Sequence, residues 1–225
     1  MSRTTIWAVA FAIASGGAFA QPAAPAPTDG RLYELRTYHA APGKLDALHD
    51  RFRDHTRRLM ERHGITCHGF WAPGNEAADR VVALVSYPSA AARTASWAGF
   101  ATDQEWLRVK RSTERQGRLV EQITDIKLAG SLCPTAADPA GRRVFEVKLV
   151  RRGESAESSG ERVGSWVPVG GAGEIVRVVL IARPKVTARG QAPDLRSAAA
   201  FVSAAIAPTD RSNRLLLPTD YSPIR

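Results

Sequence analysis

The sequence predicts an α+β fold of two tandem units, each an antiparallel sheet with helices on one side. Three observations lead there. Strand-like alternation and helical stripes follow one another over residues 31–128 in the order strand, helix, strand, strand, helix, strand. This is the order of a split βαβ, or ferredoxin-like, unit. A worn copy of the same strand signals returns over residues 144–225. Between the two, residues 129–143 break the periodicity with Gly, Pro and Ala, as a linker does.

A segment of a different kind lies ahead of the first unit. Arg3 precedes an apolar run from Ile6 to Ala14, and small residues close it at Ala18-Phe19-Ala20. That is the charged, hydrophobic and small-residue order of a secretory signal peptide, and the apolar run is too short for a permanent membrane span. Residues 1–20 are therefore expected to be cleaved after Ala20, leaving an exported protein, periplasmic or extracellular. Residues 21–30 read as an extended Pro/Ala tether.

The first unit opens on Tyr33-Glu34-Leu35-Arg36-Thr37-Tyr38. Alternation sets Tyr33, Leu35 and Thr37 on one face and Glu34, Arg36 and Tyr38 on the other. Pro42-Gly43 turns the chain, and Leu45, Leu48, Phe52, Leu59 and Met60 then mark a helix over Lys44 to His63, closed by Gly64. Thr66 to Trp71 and Arg80 to Tyr87 read as two strands, antiparallel across the Pro73-Gly74-Asn75 turn. Ser89 is an N-cap for an alanine-rich helix. Thr102-Asp103-Gln104-Glu105 reads as a capping box for another that carries Trp106, Leu107 and Val109. Leu119 to Leu128 returns to strand alternation.

In the second unit Phe145-Glu146-Val147-Lys148 repeats Tyr33-Glu34-Leu35-Arg36 at an offset of 112 residues. Gly164-Ser165-Trp166-Val167-Pro168 repeats Gly69-Phe70-Trp71-Ala72-Pro73, and Glu174 to Ile181 repeats Asp79 to Ser86, both at 95. The shorter offset means that the copy lacks the stretch equivalent to the long helix, so Arg151 to Val163 is expected to be a loop. A helix over 194–205 and a strand over Arg214 to Leu217 complete the unit.

The formal net charge is +9, and losing Arg3 with the leader makes it +8. A pI near 10.2 raises nucleic acid as a partner, but export removes that partner. Basic residues are also interspersed with acids, as in Asp50-Arg51-Phe52-Arg53-Asp54. A solvated basic surface is expected, with weak contact to an anionic envelope as the other reading. Cys67 and Cys133 form no Cys-x-x-Cys pair. They belong to opposite edges of the first sheet, so a bridge between them is disfavoured.

Taken in order, the Tyr33-Glu34-Leu35-Arg36-Thr37-Tyr38 opening, Pro42-Gly43, His63-Gly64, Gly69-Phe70-Trp71, Tyr87, Ala92-Arg93 and Asp103-Gln104-Glu105-Trp106 resemble the NIPSNAP family. The resemblance covers residues 31–128 well and 144–225 weakly, and Leu215 to Pro223 resembles the family's terminal motif. Gln104 departs from it by replacing the usual Pro, and the second unit lacks the long helix and an Asp-x-x-Trp segment. The resemblance implies a dimeric α+β barrel with two ferredoxin-like sheets face to face. Here both units lie in one chain, giving a monomeric pseudo-dimer, or a homodimer if chains pair further. An eight-stranded barrel has room inside for side chains or one small ligand.

On this reading Tyr33, Leu35 and Thr37 face the helices. Glu34, Arg36 and Tyr38 then face the space between the sheets, opposite Glu146 and Lys148. Opposite charges behind apolar walls orient a polar ligand and shift a carboxylate toward acid/base use, while an ion-pair ladder that binds nothing fits the same residues. His39, Trp71 and Arg93 complete the candidate set, Trp71 as packing or stacking and Arg93 as a fork for a carboxylate. Of five histidines only His39 and His68, both at strand ends, make a pair to weigh as haem or metal ligands; no metal site is expected. The expected function is non-catalytic binding of a small molecule or a protein partner without a cofactor. The alternative is a small enzyme, cofactor-free or haem-assisted, working in the barrel interior.

Overall fold

The computed structural model describes residues 28–74, 79–133, 143–157, 159–170, 173–184 and 213–224. The first unit runs β1 (Leu32–Ala40), α1 (Leu45–Arg51), a π-helical turn (Phe52–Thr56), α2 (Arg57–Arg62), β2 (Thr66–Pro73), β3 (Arg80–Tyr87), α3 (Ala90–Thr102), α4 (Gln104–Thr113) and β4 (Val120–Leu132). The second contributes β5 (Arg143–Arg151), β6 (Glu161–Pro168), β7 (Ile175–Pro184) and β8 (Asn213–Pro218). The expected leader, most of the tether and the expected helix over 194–205 lie outside the described residues. β4 continues through Leu132, into the stretch read as linker.

The strands close into a barrel in the order β1-β3-β2-β8-β5-β7-β6-β4. Within it the sheets β4-β1-β3-β2 and β8-β5-β7-β6 have the same internal order. They are joined edge to edge, β2 to β8 and β4 to β6. The architecture is the α+β barrel of two face-to-face sheets, closed within one chain. β2 pairs with β8 only from Trp71 to Pro73. The rest of its edge is satisfied by the end of the chain: Thr219 N donates to Phe70 O, Ser222 Oγ accepts from Phe70 N and Ile224 N donates to His68 O.

The barrel interior is apolar and filled, which corrects the expected polar interior. Tyr33, Trp71, Val82, Leu84 and Leu128 of the first sheet meet Phe145, Val147, Trp166, Val178 and Leu180 of the second. Trp71 packs on Phe145 and Trp166 packs on Tyr33, each pair with ring centroids 5.6 Å apart at 55°. Both indoles lie over a glycine two residues earlier. A Cβ on Gly69 would stand 2.2 Å from Trp71, and one on Gly164 would stand 2.1 Å from Trp166. The Gly-x-Trp signal in each unit is therefore a packing device, and a register shift beside each glycine sets the bend.

The two faces of β1 are also the reverse of the expectation. Tyr33 and Leu35 belong to the interior cluster, while Tyr38 belongs to the core under the helices with Leu48, Phe52, Met60 and Phe100. Both faces of the strand are covered, and Glu34 is as fully buried as Tyr33. Alternation separates two faces without saying which is inside. Both cysteines are free thiols, Cys67 buried and Cys133 partly exposed.

The long first helix is not uniform. Leu48, Phe52, Thr56 and Met60 are buried at intervals of four, and on a regular α-helix such a row drifts about 40° per step. The π-helical turn at Phe52–Thr56 takes up the drift and keeps the row on the sheet. Gly64 ends the helix at φ +77°, with Ile65 N donating to Met60 O. Ser89 caps α3 as expected, accepting from Ala92 N. The cap of α4 is Asp103 and not Thr102: its carboxylate accepts from Glu105 N and Trp106 N, while the Thr102 hydroxyl turns back onto α3.

Candidate functional site

Three elements put one buried polar cluster on the helix side of the first sheet. β1 supplies Glu34, Arg36 and Tyr38, alternate residues of one face. β3 ends on Tyr87, and α3 supplies Arg93 and Trp97, one turn apart on the same side. Glu34, wholly buried, accepts from Arg36 Nη1 at 3.1 Å, from the Tyr87 hydroxyl at 2.8 Å and from Arg93 Nε. Arg36 Nε donates to Tyr38 OH at 3.0 Å, and Trp97 Nε1 donates to Tyr87 OH at 2.7 Å. The Arg36 guanidinium lies 4.3 Å from the Trp97 ring centroid, a cation–π contact that fixes its plane.

The electrostatics follow from these contacts. Burial alone would raise the Glu34 carboxyl, but the Tyr87 hydroxyl and the two arginines outweigh it and hold it below its ordinary range. Burial raises both Tyr38 and Tyr87, the latter further through the Glu34 charge. The cluster at neutral pH is thus a carboxylate held by two guanidinium groups and flanked by neutral phenols. Its carboxylate is already engaged by three donors and is a poor general base.

Beside the cluster, between sheet and helices, is a cavity of about 490 Å³. Arg36 and Tyr38 line it from β1, Arg51, Phe52, Thr56 and Met60 from the first helix, and Trp97, Phe100 and Trp106 from α3 and α4. Lys110, Glu114, Arg118 and the start of β4 from Val120 to Ile123 complete it. Arg51, 6% exposed, donates from Nη1 to Glu114 at 2.7 Å and stands 5.3 Å from the Trp106 ring centroid. Its Nε, and the hydroxyl of Thr56, find no hydrogen-bond partner among the described residues. Each such orphaned group costs about 1–3 kcal/mol.

Of the residues singled out in the sequence, Glu34, Arg36, Tyr38 and Arg93 come together here. The others do not. Trp71 is inside the barrel, and Glu146 and Lys148 sit on the outer side of the second sheet. There Glu146 accepts from Arg183 Nε at 2.7 Å and Lys148 Nζ donates to Glu157 O. His39 lies near the end of β1, paired across to Arg80, whereas His68 is on β2 and packs at a tilt against Tyr33, near the start of β1, with centroids 5.4 Å apart. They cannot share one ligand. His68 Nε2 instead meets the buried Ser86 hydroxyl at 2.7 Å, and burial, helped by Arg31, depresses it to about 4. Among the described residues no group of three His, Cys, Asp or Glu is placed to hold a metal ion.

Sequence reasoning missed Arg51, Thr56 and Trp97. Arg51 had a signal, a charged residue three positions after Leu48 on an apolar stripe. Trp97, four residues beyond Arg93 on one helix, had another.

Residues 33–134 match the model of the NIPSNAP family. The first unit belongs to that family. Its motif residues Glu34, Arg36, Tyr38, Tyr87 and Arg93 are the buried cluster, while others are structural. Asp103 and Glu105 of the NIPSNAP domain bind α4 to α2 through Arg62, Arg58 and His63. No curated protein matches the sequence. Among solved structures, the chain is similar to an uncharacterized NIPSNAP domain protein from Burkholderia xenovorans at 21% identity, over 46% of this chain and 99% of that one, with a TM-score of 0.39. A NIPSNAP family protein with unknown function from Agrobacterium tumefaciens is similar at 20% identity, over 48% and 92%, with a TM-score of 0.39. An anthrone oxidase-like protein is similar at 12% identity, over 87% and 94%, with a TM-score of 0.48.

Proposed function

We propose that this is an exported protein that binds a small organic molecule in the cavity between the helices and the sheet of its NIPSNAP domain. The observation that carries this reading is the cavity itself, walled by three aromatic residues of α3 and α4 and by two buried arginines. Concave, mostly apolar sites with a few placed polar groups are where small ligands bind. Binding without chemistry is favoured over catalysis, because the one carboxylate of the cluster is ionised and fully engaged and its phenols hold their protons.

The second unit is read as a degenerate copy of the first, retained to close the barrel and carrying no site of its own. The shared strand order and the matching Gly-x-Trp packing support this. The leader-like first twenty residues support export.

Native mass spectrometry of protein purified from the periplasm of its host tests the binding reading. A bound small molecule is expected in the wild type and its loss in Ile123→Trp, which narrows the cavity from an exposed position. Retention of the same molecule in that variant would place it elsewhere. Recovery of the chain only from the cytoplasm, at full length, would overturn export.

A further inference from the structure

The ligand's chemical class can be read from the cavity wall, on the footing that the cavity binds a small molecule at all. The geometry points to a small aromatic organic anion, its carboxylate seated against Arg51 and Thr56 and its apolar body along the wall of Trp97, Phe100 and Trp106. Arg51 and Thr56 are 6% and 5% exposed, yet Arg51 Nε and Thr56 Oγ1 have no partner among the described residues. Both residues line the cavity, and a carboxylate is an acceptor that fits an arginine edge and a hydroxyl together.

The setting is prepared for this. Arg51 is braced by Glu114 through Nη1 and by the Trp106 face, so its guanidinium is held in one plane with Nε left over. It immediately precedes the π-helical turn that keeps Phe52 and Thr56 on the cavity side, a departure from α-helix often found at functional sites. Basic groups outnumber acids around the cavity: Arg36, Arg51, Lys110 and Arg118 against Glu114 and Glu121. A cation would meet this excess unfavourably, and a neutral acceptor would pair with Arg51 Nε more weakly than a carboxylate, without the charge assistance. The aromatic wall is continuous, with Trp97 edge-on to Phe100 at 5.5 Å and Phe100 to Trp106 at 4.6 Å between centroids. The rings meet at 83° and 36°, so the wall is a stepped apolar surface of ring faces and edges, suited to an aromatic body.

Calorimetric titration with 2-naphthoate and with uncharged 2-naphthalenemethanol tests the assignment, since the two probes differ in the anionic group alone. In the wild type the carboxylate should bind about ten-fold tighter or more, the worth of one charge-assisted hydrogen bond. The preference should shrink in Thr56→Val, which keeps the shape and removes the hydroxyl, and disappear in Arg51→Gln. If Arg51→Gln does not fold, Thr56→Val still decides. Equal binding of both probes by the wild type, or an unchanged preference in Thr56→Val, would overturn the anion seat while leaving a ligand cavity in place. If neither probe binds, the cavity reading falls with it.

Discussion

The two units of the barrel agree on the inside and differ on the outside. Inside, Trp71 on Phe145 and Trp166 on Tyr33 are the same contact made twice, and the glycine under each indole is the same solution to the same crowding. Outside, the first sheet carries Glu34 between two arginines beneath a helical layer with a cavity. Its counterpart Glu146 pairs with a partly exposed Arg183. Closing a barrel constrains both halves equally, because each sheet must fill half of one interior. Nothing in closure constrains the outer faces, and there the two sheets differ.

If the interior is a shared device, its two halves must be equally costly to damage. Trp71→Ala and Trp166→Ala should each lose about 3–5 kcal/mol in urea unfolding. A large difference between them would mean that the sheets do not contribute alike to one core. The outer faces should behave in the opposite way. Glu34→Gln strands Arg36, which is buried, and should cost about 3–5 kcal/mol. Glu146→Gln removes one partner of Arg183, whose side chain is 31% exposed and keeps its bond to Ser159, and should cost about 1–2 kcal/mol. Equal losses would remove the distinction between the two outer faces.

The mouth of the first sheet has its own pH signature. The folded pKa of His68 is depressed to about 4 from an ordinary 6.5. Above about pH 6.5 both states leave it neutral and stability is unaffected. As pH falls from there toward 4, the unfolded chain takes up a proton that the folded chain refuses. Stability should therefore drop, by up to about 3 kcal/mol at roughly 1.4 kcal/mol per pH unit. His68→Gln should flatten that window in thermal melts at stepped pH, and a slope that persists would assign it to other groups. Smallest in energy is the thiol contrast. Burial pushes Cys67 up to about 12, so thiol reagents should label Cys133 alone in the folded protein and both cysteines in denaturant.

Much of this was legible in the sequence for a physical reason. Strand alternation, Gly64, Ser89 and the two Gly-x-Trp pairs each encode a local requirement, and the structure meets all of them locally. The face of β1 was not legible, because Tyr33 and Glu34 are both buried and burial on two sides erases the polarity difference that would name the interior. Four site residues, Glu34, Arg36, Tyr38 and Arg93, were found because a strand and a helix carry them at regular spacing. Arg51 and Thr56 were missed because a π-helical turn joins them, and its width has no signature in an α-helical stripe beyond the run of four-residue intervals. Glu146 and Lys148 matched the motif and not the site, since similar strand alternation sets them on the outer side of the second sheet, where Glu146 meets Arg183 and Lys148 meets Glu157 O.

The central claim, that ligands enter between helices and sheet and not the barrel, is tested most directly by indole NMR. Outside the first twenty residues the tryptophans are Trp71 and Trp166, inside the barrel, and Trp97 and Trp106, on the cavity wall. Titration of 15N-labelled protein with 2-naphthoate should move the Trp97 and Trp106 indole signals and leave Trp71 and Trp166 in place. Movement of Trp71 and Trp166 with Trp97 and Trp106 unchanged would put the ligand in the barrel and contradict the account.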